Sequence, residues 1–408
     1  MVKRIYAFIY IWSLSLTLAI AQSSDSILAR HLREDRGIEV TSGNSVAFFG
    51  TGRDKFEDLF AEISKAKSFV HLEYFNFRND SIAWLLFDLL IEKAKEGVEV
   101  RALYDGFGNM SNNRPIKHKM QDSINSLGVH LCQFRPIKFP WLNHLYPRDH
   151  RKIVVIDGKV AFTGGMNVAD YYITGTEQVG PWHDLHMHIE GPAVNDLHYI
   201  FCKTWYRVTD EALVGKKYFP DHRPVGDTKL AIVDRQLGKS SDAMRDMYVN
   251  MLNSAKKSVK LINPYFVPTH KVRKALKDAI DRGIDVQILV SEASDEPLTP
   301  DVIQYICNNL VKRGATVYMF QGGFHHSKMM IIDDIYATVG SSNLDARSLR
   351  YDCEVNTVIF DKERTQWLTN HFEKQKESCY VFKNGDWKNR AKWKRFVGWF
   401  GNLLTFVL

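Results

Sequence analysis

The 408-residue sequence predicts an α/β fold made of two duplicated α-β-α sandwich halves that meet at a functional site. Three observations support this reading. Helical stretches closed by glycine run into β-rich segments, the succession occurs twice in the same order, and a His-x-Lys motif falls at the same place in each copy. A hydrophobic content of 45% lets a chain of this length bury a sizeable core, which sets intrinsic disorder aside.

The chain starts with Lys3 and Arg4, then an uncharged run over residues 5–21 that ends Ala19-Ile20-Ala21. That is the layout of a secretory signal cut before Gln22; uncut, the run is just long enough to be a membrane anchor. Residues 1–21 are expected to be one or the other, and either places the rest of the chain outside the cytoplasm, because the basic residues stay inside. The first half, residues 43–214, has a helix end running into a strand at 66–75, a helical stretch at 92–96, Gly97, and a β-rich run at 98–103. The second, residues 230–385, repeats this at 255–262, 277–282, Gly283 and 284–290. Glycine just past a helix is the expected stop. Runs at 185–189 and 355–360 also match, and Pro220, Pro224 and scattered charges mark residues 215–229 as a linker.

The motifs are His150-Arg151-Lys152-Ile153-Val154-Val155-Ile156-Asp157 and His326-Ser327-Lys328-Met329-Met330-Ile331-Ile332-Asp333, both H-x-K-x-x-x-x-D. Residues two apart on a strand project from one face, so each imidazole and its ammonium are expected to converge on one anion. The catalytic candidates are therefore His150, Lys152, Asp157, His326, Lys328 and Asp333, although Asp157-Gly158 also reads as a hairpin turn. Such a hairpin lays Thr163-Gly164-Gly165-Met166-Asn167 beside the His150 strand, and Val339-Gly340-Ser341-Ser342-Asn343 beside His326. Small residues there admit backbone N–H groups to a phosphate, and the amides of Asn167 and Asn343 can donate to its oxygens.

Paired histidines suit a two-step displacement at phosphorus: one imidazole attacks, the opposite one protonates the departing alkoxide, and an incoming hydroxyl reverses the sequence. Asp184 and Glu354 follow their histidines at similar distances and are the expected acceptors for the far ring nitrogens. The lysines and asparagines would offset charge that metals offset elsewhere, and no acidic metal-binding cluster is evident, so neither metal nor cofactor is expected. The five cysteines lack any C-x-x-C spacing and read as apolar core residues.

The doubled H-x-K-x4-D, followed each time by Gly-Gly/Ser and Asn, resembles the signature of the phospholipase D superfamily. From Gly43 onward the chain is most similar to bacterial cardiolipin synthases, in stretches such as His71-Leu72-Glu73-Tyr74, Tyr104-Asp105-Gly106 and Pro264-Tyr265-Phe266-Val267-Pro268. The resemblance implies transfer of a phosphatidyl group between two phosphatidylglycerols through a phosphohistidine, at a bacterial cell membrane, with His150 as nucleophile and His326 as acid/base. The alternative on the same scaffold is a hydrolase of phospholipid or, less readily, nucleic acid. Many of these synthases begin with two membrane-spanning segments, whereas this chain shows one such run, with the layout of a signal peptide, so a secreted phospholipase stays open.

A formal charge of +7 fits any polyanionic partner. The C-terminus favours lipid, because Lys388, Arg390, Lys392, Lys394 and Arg395 lead into residues 396–408, which carry no charged side chain. Trp393, Phe396, Val397, Phe400, Leu403, Leu404 and Val407 recur at helical spacing, so residues 386–408 are expected to form a basic amphipathic segment at a membrane surface; a helix docked on the core is the other reading. Phe139, Trp141, Leu142, Leu145 and Tyr146 form either a lipid-facing rim or ordinary loop packing. The expected partners are a phospholipid, phosphatidylglycerol, and the membrane surface, with nucleic acid disfavoured and the oligomeric state left open.

Overall fold

The computed structural model describes residues 24–138, 140, 146–236, 241–297 and 299–405. The expected leader at 1–21 lies outside them, as do Phe139, Trp141, Leu142, Leu145 and Val407. The first half contributes β1 (Thr41–Phe49), β2 (Phe69–Tyr74), β3 (Glu99–Asp105), β4 (Val129–Phe134), β5 (Ile153–Ile156), β6 (Val160–Gly164), β7 (Trp182–His183) and β8 (His186–Glu190). The second contributes β9 (Thr228–Arg235), β10 (Ser258–Ile262), β11 (Asp285–Ser291), β12 (Thr316–Phe320), β13 (Phe324–His325), β14 (Met329–Ile332), β15 (Tyr336–Gly340), β16 (Glu354–Phe360) and β17 (Cys379–Val381).

The duplication is one of topology. Outward from the contact of β1 with β9, the strand order is β1-β8-β6-β5-β2-β3-β4 on one side and β9-β16-β15-β14-β10-β11-β12-β17 on the other. In each half a parallel trio, β2-β3-β4 or β10-β11-β12, is joined to an antiparallel meander through β5 or β14. The two expected sandwiches share a single 15-stranded sheet, sewn by antiparallel pairing of Thr41 with Leu230 and Asn44 with Thr228. Joining edge to edge leaves neither half with an open strand there, which removes a template for aggregation.

Every residue of β2 is buried, as a strand covered by helices on both faces must be. The helix Ser81–Lys95 covers the first half with Ile82, Ala83, Leu86, Phe87, Leu90 and Ile91, spaced three and four apart. Helix His270–Asp281 does the same in the second with Val272, Ala275, Leu276, Ala279 and Ile280. Gly97 and Gly283 end these helices at φ +90° and +79°, a region that costs glycine little. A core cluster containing Phe69, Ile153, Leu185, Ile262, Met329 and Val355 draws on both halves, so they pack as one body.

Residues 215–229 run largely exposed between the halves, end in the first two residues of β9, and are tied down at Tyr218. The Tyr218 carbonyl accepts from His198 Nδ1 at 2.8 Å, and its hydroxyl donates to Glu99 at 2.7 Å. The five cysteines are unpaired; Cys202, Cys307 and Cys353 are buried, while Cys132 and Cys379 are half-buried.

Candidate active site

Each motif histidine sits just before a central strand, β5 or β14, where the chain leaves the sheet at the junction of the halves. Main-chain bonds across that junction place both. His150 N–H donates to the Cys353 carbonyl at 3.0 Å and Cys353 N–H to the Arg148 carbonyl at 2.7 Å, while β7 and β13 pair in parallel and His326 N–H donates to the His183 carbonyl at 2.6 Å. The residues after Cys353 and His183 are Glu354 and Asp184, so these bridges bring each carboxylate to the histidine of the other half. His150 Nδ1 lies 3.0 Å from Glu354, and His326 Nδ1 lies 2.7 Å from Asp184. The expectation that each acceptor serves the histidine it follows in sequence is therefore corrected: the partners are exchanged between halves.

Both histidines face one cavity of about 560 Å³, which Asn167, Asn343, Phe75, Tyr171, Trp182 and Tyr265 also line. A carboxylate on Nδ1 holds the ring proton there and leaves the Nε2 lone pair for chemistry. Phe75 meets the His150 ring edge-on at 5.0 Å, and Trp182 and Tyr265 flank His326 at 5.4 and 6.0 Å. Burial first, then the charges of Lys152, Lys328 and Arg347, holds His150 well below the usual imidazole range. Burial, reinforced by Lys328, lowers His326 to about 4. Burial likewise pushes Glu354 up to about 7, lowers Lys152 to about 7 with help from the Lys328 charge, and lowers Lys328 to about 8. A buried site with this many groups pressed toward neutrality gains most from an anionic ligand that restores the cationic forms.

The lysines lie beneath the cavity wall. Lys152 and Lys328 are fully buried and each donates at 2.5 Å to the carbonyl of its own histidine, with Lys328 Nζ also 2.9 Å from both ring nitrogens of His326. Asp157 and Asp333, counted among the catalytic residues from the motif, are corrected. Asp157 accepts the backbone N–H groups of Lys67, Ser68 and Phe69 at 2.7–2.9 Å, and Asp333 those of Lys256, Lys257 and Ser258 at 2.7–3.1 Å. Both stand at the hairpin turns, at the far end of β5 and β14 from the histidines, where they tie the turn to the start of β2 or β10.

The small residues after each hairpin have a further use. A Cβ on Gly165 would stand 2.1 Å from Asp184 Oδ1, so glycine makes room for the carboxylate that holds His326. The matching Ser341 donates its hydroxyl to Glu354, the carboxylate that holds His150.

Sequence reasoning missed several residues. Asp105 and Ser291, at the ends of β3 and β11, accept the N–H groups of Asp149 and His325, directly before the two histidines, at 2.9 and 2.6 Å. Their matching places in the repeat were the available signal. Asp352 accepts from Arg148 N–H at 2.8 Å and from Arg347 Nε at 2.6 Å, linking the halves beside the cavity. Asp295 and Glu296 line the cavity too, and no pattern in the sequence marks them. Tyr146 lines it, whereas the rest of the aromatic stretch before His150 is outside the described residues.

Paired histidines on one cavity between topologically equivalent halves define a phospholipase D-like fold. Among solved structures the chain is similar to a phosphatidylserine synthase of Haemophilus influenzae Rd KW20, with a TM-score of 0.71 at 14% identity over 89% of this chain and 95% of that one, a likeness of fold alone. The chain belongs to the family described as cardiolipin synthase, PLD-like domain, whose model matches residues 59–177 and 248–376. Similar relatives are the probable cardiolipin synthase YwiE of Bacillus subtilis (strain 168), 36% identical over 85% of this chain and 68% of the relative, and the major cardiolipin synthase ClsA of the same organism, 34% identical over 90% and 76%.

Proposed function

We propose that the protein transfers a phosphatidyl group from one phosphatidylglycerol to a glycerol hydroxyl of another at a membrane surface, making cardiolipin and releasing glycerol. The observation that carries this is the pair of histidines on one cavity, each held through Nδ1 by a buried carboxylate of the opposite half. In the first step His150 Nε2 attacks phosphorus, the P–O bond to the departing glycerol breaks, and His326 supplies the proton that glycerol takes away. In the second, the incoming hydroxyl gives its proton to His326, forms the new P–O bond, and displaces His150. Lys152, Lys328, Asn167 and Asn343 offset charge on the non-bridging oxygens. The working units are the two halves, close to residues 43–214 and 230–385 with β1 and β9 each starting two residues earlier, and the basic start at Lys3 and Arg4 favours the extracytoplasmic side.

The C-terminal helix Lys392–Leu403 supports the membrane reading. It docks through glycines: a Cβ on Gly398 would lie 2.4 Å from the Asp301 carbonyl oxygen and one on Gly401 2.5 Å from Val302, both on the helix Thr299–Val311. Docking thus leaves Trp393, Phe396, Trp399, Phe400 and Leu403 exposed beside Lys392 and Lys394. The segment is a helix docked on the core, and the aromatic face it leaves outward beside cations suits an anionic lipid interface. Among the described residues no helix is long and apolar enough to cross a membrane.

The test is to mix the purified chain with phosphatidylglycerol vesicles, float them on a density gradient and identify the lipids. Wild type should rise with the vesicles and form cardiolipin and glycerol. His150→Ala and His326→Ala should rise too, with product formation reduced at least about 10³-fold. Full activity in either variant overturns the two-histidine reading, and phosphatidic acid as the sole product replaces transfer with hydrolysis.

A further inference from the structure

We infer that Asp295, Glu296 and Tyr265 form the subsite for the polyol end of the substrates, gripping the glycerol that leaves and the glycerol headgroup that arrives, and so favouring a polyhydric alcohol over water. This rests on the transfer reading above and adds what selects the acceptor.

The cavity lining carries both signs of charge, with Arg347 beside Asp345 and Asp352, and Asp295 and Glu296 on a separate loop. Arg347, lying over the rings of Phe107 and Tyr146 at 5.0 and 5.8 Å, is on the His150 side, because its partner Asp352 also accepts from Arg148 N–H two residues before His150. Asp295 is tied to the His326 side through Tyr265, which bonds it and packs against the His326 ring. A phosphate belongs with the lysines and Arg347, where Asp352 is already paired with Arg347 and burial pushes Asp345 up to about 7. Hydroxyl groups, which donate, belong with Asp295 and Glu296. That is also where the chemistry needs them, since His326 handles the proton of both the leaving and the entering alcohol.

Asp295 is held in place, with the exposed Glu296 next to it. Tyr265 donates its hydroxyl to Asp295 Oδ1 at 2.7 Å, with its ring edge toward His326. From the other half, Gln178 Nε2 donates to the carbonyls of Ser294 and Asp295 at 3.4 and 3.2 Å, fixing the loop against the junction. A second, independent observation points to a hydroxyl-bearing ligand. Asn167 and Asn343 line the same cavity, are more than nine-tenths buried, and each has an Oδ1 without a hydrogen-bond partner. An orphaned buried acceptor is costly, and an alcohol supplies the O–H donor it lacks. Two vicinal hydroxyls can engage both carboxylates, whereas water or a monohydric alcohol reaches one at a time.

In the second half-reaction, phosphatidyl-His150 and an alcohol give the phosphatidyl ester and free His150, the alcohol's proton passing to His326. The test offers purified full-length chain phosphatidylglycerol vesicles with equal concentrations of deuterated glycerol, propan-1-ol and ethanolamine, and counts deuterated phosphatidylglycerol, phosphatidylpropanol, phosphatidylethanolamine and phosphatidic acid by mass spectrometry. Wild type should favour deuterated glycerol over propan-1-ol, and Asp295→Asn should cut that preference about tenfold, the size expected for losing a hydrogen bond to a charged group. Glu296→Gln and Tyr265→Phe should cut it less. An unchanged ratio in Asp295→Asn, or parallel loss of all products in a variant that melts like wild type, overturns the subsite alone. A wild-type preference for ethanolamine overturns it in favour of a site for cationic headgroups. A wild-type chain that converts no phosphatidylglycerol refutes the transfer reading and the subsite together.

Discussion

The two halves share a topology and differ at the atom that matters most. In the first half, Gly165 yields space to Asp184, a short carboxylate that reaches His326 of the second half. In the second, Ser341 takes the matching place and donates to Glu354, a longer carboxylate that reaches His150 of the first. One acceptor is positioned by absence of a side chain and the other by a hydrogen bond. Duplication therefore supplied the framework, and small local changes made the two imidazoles inequivalent, as a mechanism with one nucleophile and one acid requires.

That inequivalence can be tested directly, and the largest effect is kinetic. If His150 carries the phosphatidyl group, His326→Ala should trap radiolabelled phosphatidyl-enzyme that His150→Ala never forms. Label in the reverse pair would exchange the two roles. Next in size is the contrast between Gly165→Ala and Ser341→Ala. The first drives a Cβ into Asp184 and should lower transfer on the order of 100-fold, with a stability loss of roughly 1–3 kcal/mol, since a carboxylate so placed cannot step aside cheaply. The second removes one hydroxyl and should cost about tenfold. Equal losses would mean that the two acceptors are held alike.

A smaller effect concerns pH, and here both halves contribute. Burial holds His326 and His371 of the second half at about 4 and His198 of the first at about 3, against an ordinary 6.5. Below pH 6.5 the unfolded chain takes up protons that these folded histidines refuse. The stability they confer is thus present above pH 6.5 and is lost as pH falls toward 4, at up to about 1.4 kcal/mol per pH unit for each such group. Urea midpoints at pH 7 and pH 5 measure this, and equal midpoints would show that the histidines charge freely. The smallest expected contrast is between Asp157→Ala and Asp333→Ala. Each loses three backbone N–H partners at equivalent turns, so both should lower stability by roughly 1–2 kcal/mol, as loss of a helix cap does, while turnover per folded molecule stays near wild type. A loss of turnover in either would restore it to the catalytic set.

The candidate site was legible where the chain repeats itself. The two histidines, the asparagines that share their cavity and the hairpins carrying the small residues all follow from motifs in register, and glycine stops placed the ends of the flanking helices. Asp157 was legible as a turn residue and misleading as a motif member, because the same Asp-Gly that ends a catalytic motif also builds a hairpin. The aromatic helix at the C-terminus showed its apolar residues in the sequence. That Gly398 and Gly401 are its docking face was not visible, since glycine leaves no mark in a hydrophobic pattern.

The sequence by itself determined the elements, their duplication and the identity of the reactive side chains, because these depend on local propensity and short-range spacing. Tertiary structure alone decided which carboxylate holds which histidine. That choice is made by main-chain bonds from His150 to Cys353 and from His326 to His183, which join residues 203 and 143 positions apart in ways no local periodicity encodes. It also decided that Asp295 and Glu296 share a cavity with the histidines, since they approach it through a loop whose place is set by Tyr265 and by Gln178 of the other half.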